Sequence, residues 1–279
     1  MRSGEVSVST APIGVFDSGV GGLSVWREIV RQLPHESTLY VADQAHIPYG
    51  PRPLDEVRRY AQGITRFLLD RGAKLIVVAC NTASGAALHT LRATFPATPF
   101  VGMEPAVKPA AERTRTGVVG VIATPATFQG DLFPALVARF AATVDLRAQT
   151  CPGLVEAVES GALATPETEA LLRHYLALML VAGIDQLVLG CTHYPFLSAT
   201  IAGIVGPEVG LIDPGPAVAR QAGRLLAARG LASPRQRAGT HAFYTSAEPA
   251  RLAAMARALV GYTGITRAAR WAGDALVEV

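Results

Sequence analysis

Two stretches of the chain decide its fold when laid over each other: RFLLDRGAKLIVVACNT, Arg66 to Thr82, and ALMLVAGIDQLVLGCTH, Ala177 to His193. In each, an apolar helical run stops at a glycine, Gly72 or Gly183. A buried strand follows and runs into a cysteine backed by polar residues, Cys80 or Cys191. Glycine at those two positions fits a helix C-cap, because it alone takes the left-handed conformation there without strain. A weaker echo pairs IGVFDSG, from Ile13, with VGVIATP, from Val119, each preceding its cysteine strand by a similar interval. The chain is thus expected to fold as two similar halves.

Outward from these stretches, short β-branched runs alternate with helical patterns, the signature of βαβ units around parallel sheets. Strands are expected at Ile13 to Phe16, Thr38 to Ala42, Leu75 to Ala79, Val118 to Ala123, Val144 to Ala148, Gln186 to Leu189 and Ala242 to Thr245. Leu23, Trp26, Val30 and Leu33, then Val57, Ile64 and Leu68, recur at helical spacing and read as core. The fold class is α/β, with two similar parallel-sheet domains facing across a cleft. VGMEP, Val101 to Pro105, and LIDPGP, Leu211 to Pro216, break the pattern and mark crossings. The expected division is a discontinuous first domain, 12–102 plus 214–279, and a second, 103–213. Ligands of open α/β sheets bind outside the carboxyl ends of the strands, so each wall of the cleft would carry one cysteine.

Composition narrows the function classes. The most apolar stretch, Leu171 to Leu189, is broken by Arg173, Asp185 and Gln186, which argues against a membrane span. Met1 to Thr10 has no apolar core, so it reads as a frayed extension and not as a secretory signal. A cytoplasmic location is expected. Three cysteines far apart in 279 residues make no disulfide framework and are expected to be reduced. The net charge of +3 is scattered without a basic block, which gives no support to nucleic-acid binding.

A thiol on each side of a small substrate suits removal of a carbon-bound proton from one face and delivery of another to the opposite face. Cysteine, with an ordinary pKa of about 8.5, can serve as either base or acid near neutrality. Asn81 to Thr94 reads as a helix start, whose free amides are expected to lower the Cys80 pKa and to offer donors to an anionic substrate group. A lone cysteine ending an apolar strand is ordinarily inert core; the echo is what singles out this pair. A zinc site using Cys191 and His193 lacks any Cys-x-x-Cys or paired-histidine motif, so no metal is expected. Cys151, in a loop before Pro152, reads as structural. The Gly19 to Gly22 loop lacks both the dinucleotide fingerprint and a P-loop lysine. His35, His46, His89, His174 and His241 sit in unremarkable settings.

DSGVGGL (Asp17 to Leu23), PYG (Pro48 to Gly50), CNT (Cys80 to Thr82) and GCTHYP (Gly190 to Pro195) together resemble, in order and spacing, the signatures of the glutamate racemases. The similarity extends to ATPATF from Ala123 and FYTS from Phe243. Aspartate racemases resemble the two-cysteine pattern more loosely. The resemblance departs from the commonest wording at His46-Ile47 and at Gly153 to Glu156, neither of which carries a proposed catalytic atom.

The resemblance implies a cofactor-independent racemase that inverts the α-carbon of glutamate, with Cys80 accepting the proton of the D enantiomer and Cys191 that of the L enantiomer. Asp17 and His193 would assist on their respective sides, with Glu159 or Glu156 supporting His193. Substrate contacts are expected from Asp17, Ser18, Pro48, Tyr49, Gly50, Asn81, Thr82, Thr124, Thr192 and His193. No arginine stands in these motifs, which points to neutral donors for the two substrate carboxylates. The resemblance further implies D-glutamate supply to bacterial peptidoglycan synthesis, and a homodimer. Two alternatives stay open: isomerisation of a related dicarboxylate such as maleate, and a binding role, since some glutamate racemases restrain DNA gyrase. No motif signals the latter.

Overall fold

The computed structural model describes residues 8–129, 132–141 and 143–279. Of the Met1 to Thr10 extension only Val8–Thr10, a 3-10 turn, lies among them. The strands are β1 (Ile13–Asp17), β2 (Thr38–Ala42), β3 (Leu75–Val78), β4 (Phe100–Val101), β5 (Val118–Ala123), β6 (Asp145–Thr150), β7 (Gln186–Gly190), β8 (Gly210–Ile212), β9 (His241–Thr245), β10 (Ile265–Ala272) and β11 (Ala275–Glu278). The helices are α1 (Leu23–Gln32), α2 (Leu54–Asp70), α3 (Asn81–Thr94), α4 (Val107–Arg113), α5 (Pro125–Gln129), α6 (Leu132–Phe140), α7 (Leu154–Glu159), α8 (Pro166–Val181), α9 (Ser198–Val205), α10 (Gly215–Ala228) and α11 (Pro249–Val260).

Two sheets form, ordered β11-β10-β9-β2-β1-β3-β4 and β6-β5-β7-β8. All pairings are parallel except that of β10 with β11. The segment β2-β1-β3-β4 therefore repeats as β6-β5-β7-β8, so the two echoes seen in the sequence are architectural. The central strand of each set, β1 or β5, is the one that echoes IGVFDSG, and the strand beside it, β3 or β7, ends at a cysteine.

Local chemistry sets the repeat. The residues of β1 and β3 are buried throughout, as parallel strands covered on both faces must be. α2 and α8 end on the same device: Gly72 and Gly183 both sit at φ 78°, and each closes the helix with paired bonds. Gly72 N donates to Leu69 O and Ala73 N to Leu68 O; Gly183 N donates to Leu180 O and Ile184 N to Met179 O. These Schellman caps turn the chain directly into the cysteine strands.

The chain enters the second sheet after β4 and leaves it after β8, where α10 packs on α1 of the first half. One apolar core runs from Val20, Leu23 and Trp26 of the first half to Leu154, Leu189 and Tyr194 of the second, so the halves share buried surface. Among the described residues no helix is long and apolar enough to cross a membrane.

Three differences from the sequence reading stand out. β6 begins at Asp145 and runs to Thr150, two residues past the expected Ala148, because its register follows β5 to Ala123↔Thr150. It is a half-exposed edge strand and lacks a hydrophobic pattern to mark its end. β8 was not anticipated as a strand. Nor was the β10–β11 hairpin, whose residues are mostly exposed and include Arg267 and Arg270, with Trp271 opposite Leu276.

Candidate active site

The two cysteine strands deliver their thiols to one narrow cleft. Cys80 and Cys191 both line it, together with Ser18, Pro48, Tyr49, Gly50, Asn81, Thr82, Thr124, Thr192 and His193. Thr127, Val155 and Gly190 complete the wall and were not singled out from sequence. Thr127 lay within reach of that reading, being part of the ATPATF stretch. Among the described residues no arginine lines the cleft. Thr82 and Thr124 meet hydroxyl to hydroxyl at 3.0 Å, and Thr124 meets Thr127 at 3.0 Å, a ladder that joins the two walls. Both amide atoms of the buried Asn81 side chain lack a hydrogen-bond partner. Such a group is costly unless something in the cleft pairs with it.

On the first wall Cys80 is the N-cap of α3, its Sγ accepting from Ala83 N at 3.4 Å. The sequence reading expected that helix start to lower the thiol pKa. The structure reverses this: burial, with the neighbouring Asp17 carboxylate adding repulsion, pushes the Cys80 pKa well up, and the one amide bond does not compensate. Asp17 is fully buried behind the wall and does not line it. Its Oδ1 accepts from Ser18 N at 2.6 Å, and its Oδ2 from Gly22 N and from Thr192 Oγ1. Burial raises the Asp17 pKa despite His193 and these donors.

On the second wall Cys191 follows β7 in a tight turn. His193 Nδ1 lies 3.7 Å from Cys191 Sγ, and His193 Nε2 lies 2.8 Å from Glu159 Oε1. Glu156 is exposed one turn earlier on α7, so it is Glu159 that meets His193. Burial alone would lower the His193 pKa, but its bonds to Cys191 and Glu159 win and raise it well above the ordinary value. Burial likewise pushes Glu159 upward and is outweighed by His193, Val20 N and Gln44, which leave its pKa lowered. The pair thus holds its proton on the imidazole.

The glycine-rich loop is what brings the walls together. A Cβ on Gly19 would overlap Glu159 Oε1, and one on Gly21 would overlap the His193 ring and Thr192 Oγ1. Glycine removes those atoms, and Val20 N then donates to Glu159 Oε1 at 2.6 Å. Tyr40, buried beneath the loop, donates its hydroxyl to Gly19 O at 2.7 Å and fixes the loop's height. Behind the Pro48 to Gly50 motif, where the Ile47-Pro48 bond is cis, Asp43 accepts from Tyr49 Oη at 2.6 Å and Trp271 Nε1 at 2.7 Å. His46, unremarkable in sequence, bonds Asp43 Oδ2 at 2.9 Å and stacks on Tyr60. Asp43 and Gln44 were overlooked, although both follow the carboxyl end of β2, the edge at which such folds build sites. Cys151 is buried off the cleft; burial and then Cys191 push its pKa up to about 12.

Two α/β halves of matching topology, each presenting a thiol backed by its own acid or imidazole, define an isomerase of the two-base racemase class. Residues 13–222 match the family described as Asp/Glu/Hydantoin racemase. The glutamate racemase of Roseiflexus sp. (strain RS-1) is 56% identical over 223 residues, 80% of this chain and 82% of the relative. The crystal structure of a glutamate racemase isoform from Bacillus anthracis superposes with a TM-score of 0.86 at 32% identity, over 93% of this chain and 97% of that one. That of the Escherichia coli glutamate racemase, in complex with L-glutamate and an activator, gives 0.83 at 31% identity, over 94% and 100%. The chain therefore belongs to the Asp/Glu/hydantoin racemase family, among its glutamate racemases.

Proposed function

We propose that this protein interconverts L-glutamate and D-glutamate by proton transfer between two thiols, without a cofactor. The observation that carries the reading is that Cys80 and Cys191, one at the end of a strand of each sheet, line a single cleft whose lining also includes the unpaired Asn81 amide. With L-glutamate bound, the Cys191 thiolate first removes the α-proton, and the Cys80 thiol then delivers its proton to the opposite face of the carbanion. The turnover leaves Cys191 protonated and Cys80 ionised, ready for the D enantiomer. Asp17 and His193 take up and return the thiol protons on their sides, with Glu159 holding the imidazole.

Substrate recognition falls to Ser18, Pro48, Tyr49, Gly50, Asn81, Thr82, Thr124, Thr192 and His193, with Asp17 behind them. Hydroxyls, amides and backbone groups would take the place of arginines for the two carboxylates. The bound L-glutamate of the Escherichia coli relative supports that substrate. The functional division of the chain is 12–102 plus 214–279 against 103–213, with the cleft between. The protein would work in the bacterial cytoplasm as a homodimer, feeding D-glutamate to peptidoglycan.

The test is circular dichroism of L-glutamate and D-glutamate incubated separately with purified protein free of pyridoxal phosphate and metal, beside L-aspartate and maleate. Both glutamate enantiomers should reach the same racemic endpoint. Activity that needs an added cofactor, or that prefers maleate, overturns the reading.

A further inference from the structure

We propose that Gln44 is a positioning residue for proton transfer at Cys191, holding the Glu159 carboxylate that in turn orients His193 against the thiol. The inference rests on the two-thiol reading above and adds a member to its second wall, supplied by the opposite half of the molecule.

Glu159 uses its two oxygens for different partners. Oε1 accepts from Val20 N at 2.6 Å and faces His193 Nε2 at 2.8 Å. Oε2 accepts from Gln44 Nε2 at 3.1 Å, and among the described residues no other donor reaches it. Without that bond a buried carboxylate keeps only one oxygen tied and is free to rotate about its last torsion, which carries Oε1 away from the imidazole. Gln44 is itself set by a second bond, Thr245 Oγ1 donating to Gln44 Oε1 at 2.9 Å. The amide orientation is then fixed by chemistry: a carboxylate only accepts, so Nε2 must face Glu159, which leaves Oε1 for the hydroxyl. Thr245 in turn accepts from Ala247 N at 3.1 Å.

The result is a continuous line, Thr245 to Gln44 to Glu159 to His193 to Cys191, running from the end of β9 in one sheet to the thiol at the end of β7 in the other. It gives Thr245 of the FYTS stretch a task beside that of Ser246, whose hydroxyl donates to Asp43 Oδ1 at 2.7 Å behind Tyr49. Among the described residues no corresponding line reaches Cys80, whose neighbour Asp17 is tied by Ser18, Gly22 and Thr192. Gln44 should therefore act on one proton transfer and spare the other.

Overall kcat/KM cannot reveal this, because the equilibrium constant between enantiomers is one and the two directions must change together. Isotope effects can. Gln44→Met keeps the side chain's length and removes both bonds. The primary deuterium isotope effect on kcat/KM should rise for L-glutamate labelled at Cα, whose deuteron goes to Cys191, and fall for labelled D-glutamate. KM should stay within about twofold while kcat falls roughly tenfold, the scale of one lost hydrogen bond to a charged group. Thr245→Val should skew the isotope effects the same way but less, and the double variant should be no worse than Gln44→Met alone. Isotope effects that stay balanced, or a double variant with additive losses, overturn the proposal. His193→Asn separates this from failure of the underlying reading: it should show the same skew, larger, and if it does not, the two-thiol assignment is what fails.

Discussion

Thr192 and Asp17, 175 positions apart in sequence and in opposite halves, are joined behind the cleft by a 3.1 Å hydrogen bond from the threonine hydroxyl to Oδ2. Asp17 lies beside Cys80, whereas Thr192 directly follows Cys191. With the Ser24 hydroxyl donating to Thr192 O at 2.8 Å, this bond sets the spacing of the two thiol walls from behind. Geometry of that kind invites tests that address one wall at a time.

Replacing either thiol with a hydroxyl should end inversion. Cys80→Ser and Cys191→Ser are each expected to lower racemisation roughly 100- to 10,000-fold, the range for losing a positioned acid or base. Circular dichroism with both enantiomers checks this, and near-normal activity in either variant removes that thiol from the mechanism.

Asp17→Asn should lower the pH at which Cys80 ionises. Burial is the larger cause of its raised pKa and remains, but the carboxylate's repulsion is the next cause and is removed. The rate of Cys80 alkylation by iodoacetamide, followed against pH by peptide mass spectrometry, should shift to lower pH. At the same time turnover should fall. An unshifted profile contradicts the contact between the two groups.

The His193–Glu159 pair should stabilise the fold within a bounded pH window. The His193 pKa is raised on folding, so its contribution is full below the unfolded value of about 6.5 and is lost as pH rises through the higher folded value. The Glu159 pKa is lowered, so its contribution is present above its ordinary value, about 4.3, and is lost as pH falls through the lower folded value. Urea unfolding of wild type and His193→Gln should therefore differ most between about pH 4.5 and pH 6.5 and converge at both extremes.

Two glycines should behave oppositely. Gly21→Ala drives a methyl into the His193 ring and Thr192, so activity and stability should both fall. Gly85→Ala, in the exposed middle of α3 with nothing within 4 Å, should raise stability by about 0.5–1 kcal/mol and leave turnover intact. Thermal melts and the racemisation assay decide both.

Much of this architecture was legible because the same physics is written twice. Gly72 and Gly183, the apolar strands after them and the cysteines at their ends repeat closely enough to reveal the two halves. β10 and β11 left little trace, since β10 is held by its pairing with β9 and the hairpin, carrying Arg267 and Arg270, buries only Ala269 and Leu276 and shows little apolar periodicity. Most of the cleft lining was readable from motifs. What was hidden depended on distance in sequence: that Glu159 and not Glu156 meets His193, that burial overrides the helix start at Cys80, and that Gln44 spans to the opposite half. One turn of α7 separates the two glutamates, and only the packing of that helix under the glycine loop decides which one is buried.

The unlike backing of the two thiols, a carboxylate behind one and an imidazole with its glutamate behind the other, bears on how the reaction is metered. Mirror-image substrates in water are equal in energy, so the catalyst cannot favour either at equilibrium. Saturated rates carry no such restriction. As acidity changes, one wall would be better prepared than the other, and the enantiomer it serves would turn over faster at high concentration while binding correspondingly more weakly. A symmetric reaction run by an unsymmetric pair would thus let the cell's pH and pool sizes choose the direction in which the enzyme is quick.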